Sequence, residues 1–215
     1  MSFELSAKDY TEYLELTYTR IHEQGDYITS LDAATGDGDH WVNVDSGLRK
    51  VVDAIPEIST MSLSDEFKKI GMILMSVIGG SSGVLLGSSY IEASKTLVGK
   101  EKIANEDLCG ILEGMLNGIT KRGGAVPGMK TMIDSLEPAV KKYQECLKEK
   151  VSIEDTLTQV KQAALDGAES TKNMEAIRGR ASYQANKGLG CLDPGAVSMS
   201  LMIETMMDYA LTKNK

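Results

Sequence analysis

The stretch Ile103–Thr120, IANEDLCGILEGMLNGIT, reads as helix and little else. Leu108, Ile111, Leu112, Met115 and Ile119 recur at steps of three and four, so all five fall on one side of an α-helix. The same period returns along the chain. Tyr10, Tyr13, Leu14, Tyr18 and Ile21 trace a first helix, with Ser6 as its N-cap. Val44, Leu48, Val51, Val52 and Ile55 trace a second. Segments 63–78 and 82–98 read as the third and fourth, and Ile103–Thr120 as the fifth. Two more span 129–149 and 152–169, and 194–212 closes the chain with Val197, Leu201, Met202 and Met206. Strands favour β-branched and aromatic residues, yet aromatics are only 5% and no long period-2 run occurs. With no low-complexity linker and no internal repeat, residues 1–215 are expected to form one all-α domain of about eight helices.

Composition narrows the function. The 215 residues carry 23 basic and 31 acidic side chains, a formal charge of -8. Such a surface repels nucleic acid and anionic membranes, so neither is expected as a partner. Cys109, Cys146 and Cys191 are odd in number and form no CxxC pair, which argues against a zinc site or a disulfide framework. The N-terminus MSFELSAKDY lacks the basic and apolar regions of a signal peptide, and no window approaches a membrane span. A cytoplasmic protein is expected.

The polar signals cluster between the predicted helices, at 32–43, 79–83, 121–132 and 179–195. In the first, LDAATGDGDHWVN (Leu31–Asn43), Asp32, Asp37 and Asp39 follow the spacing D-x4-D-x-D. Gly36 and Gly38 let the backbone bend so that the carboxylates converge. Three carboxylates expected to converge with no nearby Lys or Arg suggest a hard cation with oxygen ligands, Mg²⁺ or Ca²⁺. An EF-hand reading fails, because counting from Asp37 puts Trp41 and Leu48 where oxygen ligands are needed. Taken alone, the stretch could be a solvated acidic turn.

The other three clusters suit an anion. Gly79-Gly80-Ser81-Ser82-Gly83 opens a helix with free N–H groups and hydroxyls, though without the Gly-Lys-Ser/Thr of a P-loop. Arg180 has the guanidinium geometry that clamps phosphate. Asp193, Pro194 and Gly195 read as a cap followed by Pro at the first helical position. His40 could donate to a phosphate.

Taken together, LDAATGDGDHWVN, GGSSG, GGAVPGMKTMIDSL and GRASYQANKGLGCLDPGA resemble, in order, the L subunits of dihydroxyacetone kinases. The same domain also occurs fused within larger kinases. The resemblance covers about residue 10 onward. It implies an up-and-down barrel of eight antiparallel helices with ADP or ATP in the loops at one end. It implies two Mg²⁺ held by Asp32, Asp37 and Asp39, and nucleotide contacts at His40, Trp41, Val42, Asn43, Ser81, Ser82, Gly123, Met132, Arg180, Asp193, Pro194 and Gly195. A chain of this length is similar to the bacterial phosphotransferase-system version. There, a phosphohistidine M subunit recharges bound ADP and the phosphoryl group passes to dihydroxyacetone on a K subunit. A related ketose, or an ATP-dependent kinase subunit for another hydroxyketone, stays open as an alternative. So does a regulatory nucleotide-sensing module, since some family members contact a transcription regulator. Self-association is compatible with either.

Three positions depart from the family pattern: Trp41 for a small Gly, Met129 for an Asp, and Cys191 for a His. Trp41, the chain's only tryptophan, is expected at the rim of the nucleotide site, where it would report on occupancy.

Overall fold

The structure is a computed structural model and describes residues 3–214. Ten α-helices occur among these residues: α1 (Ala7–Glu23), α2 (Gly25–Thr35), α3 (His40–Asp53), α4 (Ile55–Ile58), α5 (Leu63–Val77), α6 (Gly80–Ser94), α7 (Asn105–Gly123), α8 (Ile133–Glu149), α9 (Ile153–Ser170) and α10 (Pro194–Lys213). No strand forms among them beyond one isolated bridge between Leu5 and Ile103.

The helices start where capping chemistry allows. Ser6 Oγ accepts the Asp9 N–H at 3.2 Å while Asp9 accepts the Ser6 N–H at 2.8 Å, a reciprocal cap at α1. Ser62, Ser152 and Asp193 cap α5, α9 and α10 in the one-sided form.

Eight of these helices pack as a ring in the order α1, α3, α5, α6, α7, α8, α9, α10 and back to α1. The ring follows the order of the chain, the arrangement of an up-and-down barrel, although α2 lies between α1 and α3 and a long connection joins α9 to α10. Its interior is one large apolar core that includes the five-residue stripe of α7, all buried, with a smaller cluster of Ala168, Leu192, Ala196 and Val197 between α9 and α10. Close approach between helices has a visible cause at α8 and α9. Pro138 cannot donate to the Asp134 carbonyl one turn back, and Gly167 of α9 comes up against that carbonyl, where any Cβ would collide.

Three sequence expectations need correction. The segment 32–43 is largely helical: α2 ends only at Thr35, and α3 begins at His40. Polar spacing and Gly36 hid α2, because its buried residues include Asp32 and Thr35 rather than an apolar stripe. The helix expected from residue 129 starts at Ile133, since Gly128 and Lys130 both take positive φ, 87° and 60°. The fourth helix ends at Ser94 and passes into a 3₁₀ turn, Lys95–Leu97.

One core residue opposes the fold. Glu66 of α5 is fully buried and neither carboxylate oxygen has a partner among the described residues. Burial pushes its carboxyl from the usual 4.5 up to about 8. The folded state therefore binds a proton that the unfolded state releases between these values, and stability falls as pH rises through that window. Glu66→Gln is expected to gain about 3 kcal/mol at pH 8 in urea unfolding and almost nothing at pH 4.5. A variant no more stable than wild type at pH 8 would show that Glu66 carries its charge at no cost.

Candidate functional site

Because the barrel alternates direction, every second connection lies at one end. The connections after α2, α5, α7 and α9 surround a cleft of about 470 Å³ at that end. The N termini of α3, α6 and α10 open onto it through Asp39 and His40, Gly80 to Ser82, and Asp193 to Gly195. Unpaired N–H groups and the positive ends of three helix dipoles thus face one space. At α6 no side chain caps the N terminus, so these donors remain available.

Asp32, Asp37 and Asp39 stand on the rim of that space. Each offers a carboxylate oxygen within 4.8 Å of the others. Asp32 is buried in the last turn of α2 and accepts the His40 N–H at 3.0 Å. Gly36 is required beside it, because a Cβ there would sit 2.5 Å from Asp32 Oδ1. Asp37 and Asp39 are exposed, and Asp39 spends none of its oxygens on capping α3. The expectation that the triad lacks a basic neighbour is wrong: Arg180 Nη2 lies 2.7 Å from Asp37 Oδ2 and 3.7 Å from Asp39 Oδ2. The partner is invisible locally because it comes from a connection more than a hundred residues away.

The residues expected in the site divide clearly. Asp32, Asp39, His40, Asn43, Ser81, Ser82, Gly123, Met132, Arg180, Asp193, Pro194 and Gly195 line the cleft, and Asp37 joins it through Arg180. Asn43 lies one helical turn after Asp39, and the chain at Gly79 passes so close that a Cβ would come within 2.9 Å of its amide oxygen. Trp41 and Val42 do not line the cleft. Val42 is exposed on α3. Trp41 packs the other way, its Nε1–H donating to Ile21 O at 3.0 Å and its ring against Gly25, so it is not at the rim. The reason is helical: with His40 and Asn43 facing inward, Trp41 is turned by about 100° from His40 and Val42 by about 100° from Asn43.

His40 also differs from expectation. Its Nε2 lies 2.9 Å from Ser198 Oγ, and that hydroxyl donates its one proton to Pro194 O at 2.9 Å. Ser198 must therefore accept from Nε2–H, which leaves Nδ1 of the neutral ring a bare acceptor. Burial lowers the imidazole pKa, with Asp32 and Asp39 opposing it. Donation to an anion from the free nitrogen needs a second proton on the ring.

Sequence reading passed over Lys130, which lines the cleft and is almost wholly buried. Asp193 beside it caps α10 by accepting the Ala196 N–H at 2.7 Å. Burial raises the Asp193 carboxyl to about 7, against the pull of that N–H and of Lys130. A lysine between Met129 and Thr131 carries no sequence signal of burial.

Comparison with known proteins agrees with this geometry. A DAK2 domain profile matches residues 34–208. The chain is 39% identical over 188 residues to the ADP-binding subunit DhaL of PEP-dependent dihydroxyacetone kinase 1 from Listeria innocua, covering 87% of this chain and 89% of that one. It is 34% identical to the corresponding ADP-binding subunit of Escherichia coli, covering 85% and 87%. Among solved structures it resembles the dihydroxyacetone kinase of C. freundii in complex with AMP-PNP and Mg²⁺, with a TM-score of 0.70 and 26% identity. That match takes in 92% of this chain and spans 33% of the solved kinase.

Trp41 supplies a test of the side it faces. Trp41→Gly is expected to cost about 2–4 kcal/mol in urea unfolding, from lost packing and the lost bond to Ile21. Its affinity for MgADP by calorimetry should stay within about 2-fold of wild type, less than about 0.4 kcal/mol. The reverse pattern would return Trp41 to the cleft.

Proposed function

The chain belongs to the DAK2-domain family, and from that premise we propose that it is the nucleotide-binding subunit of a dihydroxyacetone kinase. Residues 1–215 act as one nucleotide-binding domain, working in the cytoplasm, where its three free cysteines stay reduced. Among the described residues no helix is long and apolar enough to cross a membrane. The observation that carries the proposal is the meeting of three helix N termini with three converging carboxylates in one cleft. Helix N termini favour phosphate, whereas carboxylates repel it, so the pair is useful only with a cation between them.

The triad fits such a cation. Its donors are hard carboxylate oxygens close enough to share an ion, two of them exposed, which suits Mg²⁺. Asp32, Asp37 and Asp39 would hold two Mg²⁺, and the metal, when bound, supplies charge neutralisation at phosphate oxygens.

The chain's own residues supply positioning. Ser81 and Ser82, in the first turn of α6, offer hydroxyl and backbone donors to phosphate oxygens. Arg180, 60% exposed, is free to turn from the aspartates toward phosphate and form paired hydrogen bonds. Asn43 and the Asp193-Pro194-Gly195 turn bound the polar side, while Met132, against Gly195, offers an apolar wall to a base. None of these groups need become phosphorylated. The phosphoryl group comes to ADP from a phosphohistidine M subunit and goes on to dihydroxyacetone held by a K subunit. Orientation and charge stabilisation are most of what phosphoryl transfer asks of a protein.

Native mass spectrometry of the purified chain tests the core of this reading. ADP and two Mg²⁺ are expected to co-purify, and the Asp37→Asn, Asp39→Asn double variant should lose both while keeping its helical circular dichroism. Retention of ADP by that variant in EDTA would overturn the metal-bridged arrangement. The chain with MgATP alone should leave dihydroxyacetone unphosphorylated until a K subunit is added. Turnover by the chain alone would refute the division of labour.

A further inference from the structure

Lys130 sits where a charge is hardest to keep. Only 1% of it is exposed, and it takes φ 60° in the turn before α8. Asp134 fixes that turn, accepting the Gly128 N–H at 2.5 Å and the Thr131 N–H at 2.7 Å. The left-handed backbone costs about 1 kcal/mol or more for a residue with a Cβ, and it turns the side chain inward. The ammonium then donates to Thr171 O and Cys191 O, each at 2.5 Å. These carbonyls belong to two different stretches of chain, the 3₁₀ turn after α9 and the segment entering α10. Residues 188–193 have no helix or strand, and Gly188 and Gly190 both take positive φ. Gly188 rests on the lysine stem, where a Cβ would stand 3.2 Å from Cε. Thr171 Oγ1 adds one more tie by accepting the Asp193 N–H at 2.9 Å.

We propose that Lys130 is a positioning residue of the cleft: by joining Thr171 O to Cys191 O it holds the irregular segment 188–193 so that the N terminus of α10 faces the nucleotide. A buried ammonium is a costly way to fill space, since a methionine of similar length would pack there without desolvation. Its specific contribution is two charge-assisted hydrogen bonds from one point, which tie a segment whose own backbone bonds are turn bonds and one link from Gly190 N–H to Lys172 O. Lys150 and Lys187 also take left-handed backbone, but both are exposed, and Lys130 is the one of the three whose buried ammonium bonds both carbonyls. The effect on ligand affinity rests on the nucleotide-binding function proposed above, whereas the effect on the segment does not.

The test compares Lys130→Met with Val160→Ala, a truncation of a fully buried residue of α9 that does not line the cleft. Two quantities are read on the full chain: amide hydrogen exchange of residues 188–196 without nucleotide, and MgADP affinity by calorimetry. Lys130→Met is expected to speed exchange in that segment about 10-fold or more and to weaken MgADP binding by a similar factor, about 1.4 kcal/mol. Val160→Ala should lower the melting temperature yet leave segment exchange and affinity within about 2-fold of wild type. Equal exchange and equal affinity in the two variants would overturn the proposal, because Lys130 would then be one more core residue. If Lys130→Met does not fold, Lys130→Gln, which keeps an uncharged donor, is read by the same criteria. Faster exchange with a wild-type chain that does not bind MgADP would uphold the tie and refute the nucleotide function instead.

Discussion

Three carboxylates within 4.8 Å of one another constrain everything at the open end of the barrel. At that distance each fully charged pair repels by roughly 3 kcal/mol at an effective dielectric of 20. The protein answers with fixed positive character from several directions. The His40 N–H meets Asp32, the start of α3 lies under Asp39, and Arg180 reaches across to Asp37. The first two follow directly on Asp39 in sequence, whereas Arg180 comes from a connection far along the chain. They meet because helix ends and distant connections arrive at one place, so the charge problem sets what the fold must deliver.

The barrel delivers it by separating stability from chemistry along its axis. At the end opposite the cleft, α10 closes the ring against α1. Lys213 lies 2.7 Å from Asp9, and the Tyr209 hydroxyl donates to Glu12 at 2.7 Å. Leu5 and Ile103, both fully buried, seal that end through their paired backbone hydrogen bonds. Connections there carry caps and apolar plugs. Connections at the cleft carry glycines, aspartates and arginine, which would be poor at closing a core. An up-and-down ring permits this split because its turns fall alternately at the two ends.

Much of this was legible in the sequence, and the failures share one cause. The helix faces of α1 and α7 follow the 3.6-residue period because one side of each is buried, whereas α10 is covered over most of its circumference. Polar residues that gather in the cleft were found because their types are unusual between helices. What the sequence concealed was direction and depth. Asp32 reads as a loop acid, yet it ends a helix whose inner face is polar. Trp41 sits one residue from a cleft residue and still points away. Lys130 looks solvent-bound and is buried, because its partners are carbonyls, which every residue has and no spacing reveals. The Arg180–Asp37 pair joins positions that only the closed ring brings together.

The same distinction explains why three departures from the family pattern can be absorbed. Cys191 meets Lys130 through its backbone carbonyl, so its side-chain identity is not what the contact reads. Met129 contributes a carbonyl as well, accepting the Ile177 N–H at 3.2 Å, while its side chain packs on the core. An aspartate there would add another negative charge to a turn already bonded to the Asp134 carboxylate. Trp41 spends its indole on Ile21 and Gly25, behind the wall that the cleft presents. In each case the varied residue is not among those that line the cleft, whose lining is made by neighbouring residues such as Lys130, His40 and Met132. The cleft is defined by where the backbone and a few fixed charges lie, and side chains that face away from it can change without altering that field.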